Sequence, residues 1–170
     1  MQISFVLTVI ADDKPGIVEQ IANVIHQHQG NWLESRMATM AGKFAGILRI
    51  DVAESQGDSL IQALGALKEQ GIEVRTERGS AHSATTVHLT LSVIGNDRPG
   101  IVQEVSAVLS RHQVNVQELI TGCFAAEMSA TPTFRAEAEL EVPEDFDQDT
   151  LADDLERLSD ELMVEIRKAV

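Results

Sequence analysis

Two short stretches hold the residue types best placed to do chemistry. Asp12-Asp13-Lys14-Pro15-Gly16-Ile17-Val18 returns as Asn96-Asp97-Arg98-Pro99-Gly100-Ile101-Val102. Each follows an apolar run of strand character and opens a run with helical spacing. Proline suits the first helical position, where its missing N–H is no loss. Asp13 and Asp97, two residues earlier, are placed to cap free amides and to favour the positive end of a helix dipole. Gly16 and Gly100 lack a Cβ and let another group approach the backbone. The chemistry this predicts is noncovalent. A strand-to-helix turn with several unpaired N–H donors holds a carboxylate or another small anion. A plainer alternative, a good helix start and nothing more, stays open on these residues alone.

Other reactive residues offer less. His26 and His28 are two apart on a helix and do not share a face. With no cysteine or carboxylate cluster at ligand spacing beside them, no metal site is expected. His28 and His112 recur at matched places near a helix end, where a cation is favourable. Cys123 has no adjacent histidine or basic neighbour to activate it as a nucleophile. The glutamates of 134–142 all face one way, as a solvated surface does, and there is no Gly-rich phosphate loop of the Walker type.

The elements that must position the heptapeptides repeat with them. His28-Gln29, Asn31 and Glu34 match His112-Gln113, Asn115 and Glu118 at the same offset, which marks an internal duplication. In the first copy, Ile3, Phe5, Leu7 and Val9 alternate as a strand. A helix is expected from Pro15 to His28 on Ile17, Val18, Ile21, Val24 and Ile25, with Gly30 just past its end. Strands at 31–40 and 44–52 are joined by a tight turn at Ala41-Gly42-Lys43. Ser55 to Asp58 breaks the pattern, and Asp58 or Ser59 caps a helix marked by Leu60, Ile61, Leu64 and Leu67. A short strand follows Gly71. In the second copy a strand around Val87 to Val93 leads to a helix from Pro99 to His112. A strand then opens at Asn115, and another runs from Phe134 to Val142. Leu151, Leu155, Leu158 and Leu162 mark the last helix. The fold class is therefore α+β: two tandem ferredoxin-like βαββαβ domains, each an antiparallel four-stranded sheet with helices on one face. The expected domains are 1–80 and 87–170, with a small polar linker at 81–86. Six extra residues fall in the second hairpin, so 122–133 reads as a long loop that covers a ligand, meets a partner or packs on its own domain.

Composition excludes whole classes. The net charge is −14. Residues 1–85 carry 7 basic and 10 acidic side chains, and residues 86–170 carry 6 and 17. No basic stripe exists to neutralise phosphates, so direct nucleic-acid binding is not expected. No apolar run is long enough to cross a membrane, and Met1-Gln2-Ile3 leads into a strand rather than a signal peptide. Cys123 is the only cysteine, which rules out an intrachain disulfide and fits a cytoplasmic protein.

The β-α-β-β-α-β unit, with Asp-(Lys/Arg)-Pro-Gly-Ile-Val at its first turn and an Asn opening its second strand, resembles an ACT domain. Two in tandem resemble the glycine cleavage system transcriptional repressor family. Thr131-Pro132-Thr133-Phe134, leading to Val142-Pro143, is also similar to that family. The resemblance implies regulation without catalysis and no cofactor. Amino acids, glycine favoured, would bind where two units pack side by side, and the chain would associate as a homo-oligomer. The implied ligand residues are Asp13, Pro15, Gly16, Ile17 and Asn31, with Asp97, Pro99, Gly100, Ile101 and Asn115. Turn amides would hold the carboxylate, and Asn31 or Asn115 would bond the amino-acid backbone. The protein partner implied is a transcriptional activator rather than DNA. Lys14 for Arg98 and Trp32 for Val116 make the two copies unequal. The alternatives are a small enzyme on a ferredoxin-like scaffold and an ACT regulatory subunit of a metabolic enzyme.

Overall fold

Period-two alternation over Gln2–Asp12 gives strand β1, which turns Phe5, Leu7, Val9 and Ala11 into the core. In the computed structural model, which describes residues 1–80, 86–125 and 131–168, β1 is followed by α1 (Ile17–Gln27), β2 (Asn31–Met40) and β3 (Lys43–Ala53). Next come α2 (Glu54–Ala66), a 3₁₀ turn (Leu67–Gln70) and β4 (Ile72–Arg78). The sheet is antiparallel in the order β2-β3-β1-β4. Ile17, Ile21 and Ile25 lie four apart on α1 and are buried against it. Leu60 and Leu64 do the same from α2. Leu48, Ile50 and Val52 close the core from β3.

The second unit repeats the plan with β5 (Thr86–Asn96), α3 (Ile101–Arg111), β6 (Asn115–Phe124), β7 (Thr133–Pro143), α4 (Gln148–Glu156) and β8 (Leu162–Lys168). Its sheet order is β6-β7-β5-β8. The expected fold class is the observed one. The chain divides into units Met1–His82 and Ser83–Val170, and each has its own apolar core.

Several local expectations fail for identifiable reasons. The second helix starts at Glu54, not near Ser59. Gly57 does not break it but is buried against β1, where a Cβ would stand 2.9 Å from Ile3 Cδ1. The left-handed residues after α1 and α3 are Gln29 and Gln113, at φ 56° and 55°, rather than Gly30. The last leucine series does not stay helical: α4 ends at Glu156 and Leu162 opens β8. Ser159 intervenes, its hydroxyl accepting from the Glu161 amide at 3.2 Å and its carbonyl from the Leu162 amide at 3.1 Å. In the expected 122–133 loop, Gly122 to Phe124 belong to β6 and Thr133 to β7, while 126–130 lie outside the described residues. Of the expected linker, 81–85 lie outside the described residues and Thr86 is already in β5. The hairpin at Ala41-Gly42 is as tight as expected, with φ of 50° and 79°, the pattern of a type I′ turn.

Burial along β3 supplies a paired test. Ile50 is fully buried, whereas Ile47 on the opposite face is half exposed. Ile50→Ala is expected to lower unfolding stability by about 2–5 kcal/mol. Ile47→Ala should change it by less than about 0.5 kcal/mol. Urea denaturation of both variants checks the difference.

Candidate functional site

Gly16 sits at φ 91° and ψ 1°, and Gly100 at φ 96° and ψ −6°. Each follows proline, which is the pairing of a type II turn with Pro at its second position and Gly at its third. The helices start only afterwards, at Ile17 and Ile101. Pro15 and Pro99 therefore set the turn instead of occupying the first helical position. The Gly16 carbonyl accepts the first helical bond, from Gln20 N at 3.0 Å, and Gly100 accepts from Glu104 N at 2.9 Å.

Neither helix has a side-chain cap. The expected capping by Asp13 and Asp97 does not occur. Their backbone amides instead donate to Gly42 O at 2.9 Å and Pro132 O at 2.8 Å, pinning each turn to the neighbouring hairpin. Ile17 and Ile101 bury their side chains, so these positions offer only backbone. The first-turn amides have no intrahelical acceptor and no capping side chain.

Around this shared geometry the two corners differ. Four residues beyond each glycine, one helical turn brings a side chain back over the helix start. Gln20 lies there in the first unit and Glu104 in the second. Arg98 grips Glu104 with two bonds, at 2.8 and 2.6 Å. That contact lowers the Glu104 pKa and raises that of Arg98. Lys14, at the matching place, instead donates to Gln70 O at 2.9 Å. The second corner opens on a surface pocket of about 610 Å³ bordered by Asp97, Gly100, Val102, Cys123 and Phe134. Sequence reasoning missed Arg98 and Phe134 as pocket residues, and Glu104 as the side chain over the helix start. The spacing from Gly100 to Glu104 was the available signal for one of them.

Asn31 and Asn115 are not beside these turns. Asn31 pairs with Asp51, which faces Ser4 at the start of β1, whereas the turn follows the end of β1 at Asp12. Eight residues of strand separate the two ends, roughly 26 Å. In the second unit Asn115 also lies at the far end, where its amide donates to Glu141 at 3.1 Å. The other four candidates of each copy fall within five consecutive residues of the turn, with Lys14 or Arg98 between the first and second.

The sequence profile of the ACT domain family matches residues 4–77 and again residues 88–168. The chain belongs to the ACT domain family. A protein of unknown function from Galdieria sulphuraria superposes on the tandem ACT domains with TM-score 0.88 at 28% identity, all of both chains being covered. A protein provisionally assigned as a glycine cleavage system transcriptional repressor shares the fold, with TM-score 0.72 at 18% identity over 99% of both chains. A UPF0237 protein of Methanococcus maripaludis is 30% identical over 77 residues, which is 45% of this chain and 84% of its own length.

The remaining reactive groups of the ACT domains have local roles. Partial loss of water contact, with a hydrogen bond to Asp97, pushes the Cys123 thiol above its ordinary pKa, which disfavours a reactive thiolate. His112 Nε2 lies 2.9 Å from Asp154 Oδ2 and lowers that carboxyl's pKa. His28 Nδ1 lies 2.8 Å from Val24 O. Among the described residues no group of three or more His, Cys, Asp or Glu side chains could hold a metal ion, and no helix is long and apolar enough to cross a membrane.

Two outcomes test the corner's construction. Gly16→Ala and Gly100→Ala should each lower stability by about 1–2 kcal/mol, because a Cβ is forced into left-handed backbone. Glu104→Gln removes a carboxylate whose folded pKa is depressed. Its contribution is complete above the ordinary glutamate value, about 4.3, and disappears as pH falls through the folded value. The stability gap between the parent chain and Glu104→Gln should therefore narrow on acidification below pH about 4, as read by urea unfolding at a series of pH values.

Proposed function

We propose that the chain is a non-enzymatic, amino-acid-responsive regulator that acts on transcription of glycine cleavage genes through an activator protein rather than DNA. The observation that carries this reading is the uncapped helix start behind a left-handed glycine, present in both ACT domains. Its bare amides and positive dipole end suit a carboxylate. The far placement of Asn31 and Asn115 fits a site completed by a strand from another unit, as side-by-side ACT packing and a homo-oligomer would provide. The likeness to the glycine cleavage repressor supports the fold, and its name supplies the regulatory role proposed here. A net charge of −14 favours a protein surface over nucleic acid as the partner. The raised Cys123 thiol gives the alternative of a small enzyme no support.

Binding to the folded state alone stabilises by about 2.7 kcal/mol at a hundredfold excess over Kd. Glycine at millimolar concentration should raise the melting temperature of the chain, and Gly16→Val with Gly100→Val should abolish the rise. Absence of any shift with every proteinogenic amino acid would refute the sensor. Retention of the shift in the double variant, with circular dichroism confirming its fold, would move the site elsewhere.

A further inference from the structure

The second ACT domain contains an apolar cavity of about 50 Å³ between α3 and the inner faces of β6 and β7. Val105, Leu109, Val116, Leu119, Phe134 and Ala138 supply much of its wall. At three of the matching places the first domain carries larger groups. Trp32 stands opposite Ile50 where Val116 stands opposite Leu140, and Trp32 packs against the first core. Leu48 faces Leu7 where Ala138 faces Leu91, and fully buried Ile21 takes the helical place of Val105. Two changes run the other way, Gly46 to Ala136 and Ser35 to Leu119. Leu119 remains half exposed at the rim.

The occupant has to be apolar. The one side-chain hydroxyl at the wall, on Ser106, donates to Gln103 O at 3.1 Å. Water needs two to four polar partners, and a cavity without them stays dry. A cavity of about 150 Å³ admits benzene, so one a third as large admits the tip of a branched aliphatic group. The cavity also shares Ile101, Val102, Ser106 and Phe134 with the pocket at the start of α3. A ligand whose carboxylate sits at that helix start therefore has an apolar recess next to it.

We infer that the second ACT domain selects an aliphatic amino acid of valine or leucine type, its side chain entering this cavity, while the first domain, which carries Trp32 and Leu48 there, has no such recess and takes glycine. This rests on the amino-acid-binding reading above.

Isothermal calorimetry with glycine, valine and leucine on the full chain carrying Gly16→Val, which closes the first corner and leaves the second, tests it. Valine or leucine should bind at least about tenfold more tightly than glycine, in line with the burial of two or three carbons. Ala138→Leu, which installs the side chain found at the matching place in the first domain, should remove that advantage and leave glycine binding unchanged. It should also raise the melting temperature, as cavity filling does, which guards against a folding defect. Val116→Trp is the second variant, with the same expected loss. Glycine binding as tightly as valine once the first corner is blocked, with Ala138 and Val116 intact, would overturn this inference alone. So would an aliphatic advantage that survives both variants. No binding of any amino acid would overturn the amino-acid reading and this inference together.

Discussion

Backbone of positive φ immediately ahead of a helix is the constraint from which the rest of each unit follows. Only glycine adopts φ near +90° without a steric cost, and each unit places glycine there, at 16 and at 100. An ordinary N-cap is an extended residue whose side-chain oxygen folds back onto the first amides. Here the residue in the capping position has no side chain at all, so the amides are bare by construction. The same turn directs Ile17 and Ile101 inward. Each helix is thereby pinned to its sheet at the end where its dipole is positive.

The two units share a backbone and differ in the side chains that surround this turn. In the second, Arg98 holds Glu104 beside the helix start, so a fixed negative charge already complements the dipole. An incoming carboxylate would meet Arg98 as an ally and Glu104 as a rival. In the first, Gln20 is neutral and Lys14 is engaged elsewhere, at the Gln70 carbonyl. Coulombic attraction between side chains with a third of their surface in water is modest. The difference therefore bears more on which ligand each corner prefers than on how stable each unit is.

Much of this architecture was legible in the residues because the duplication doubled every signal. Strand alternation at Phe5, Leu7 and Val9, and helical spacing at Ile17, Ile21 and Ile25, each correspond to buried faces. What local pattern misread was glycine and leucine used for tertiary reasons. Gly57 resembles a breaker, yet it lets α2 lie close to Ile3 and Phe5. Leu162 continues a helical series in sequence, yet it belongs to a strand because Ser159 closes a turn first. At the candidate corner, Gly16 and Gly100 were readable as special. The aspartates were not readable as anchored through their backbones, since the hairpin carbonyls that hold them come from distant sequence. The separation of Asn31 from the turn likewise follows only from strand register.

Each apolar core is complete within its own unit, and this affects what a spectroscopic probe can report. The chain has a single tryptophan, Trp32, and it packs in the first core. Its emission is a direct local reporter of the first unit. The second unit, with neither tryptophan nor tyrosine among its residues, can loosen or tighten without changing that emission. A single fluorescence midpoint thus describes one core of two, and agreement with a signal from the whole backbone is needed before the molecule can be treated as one cooperative body.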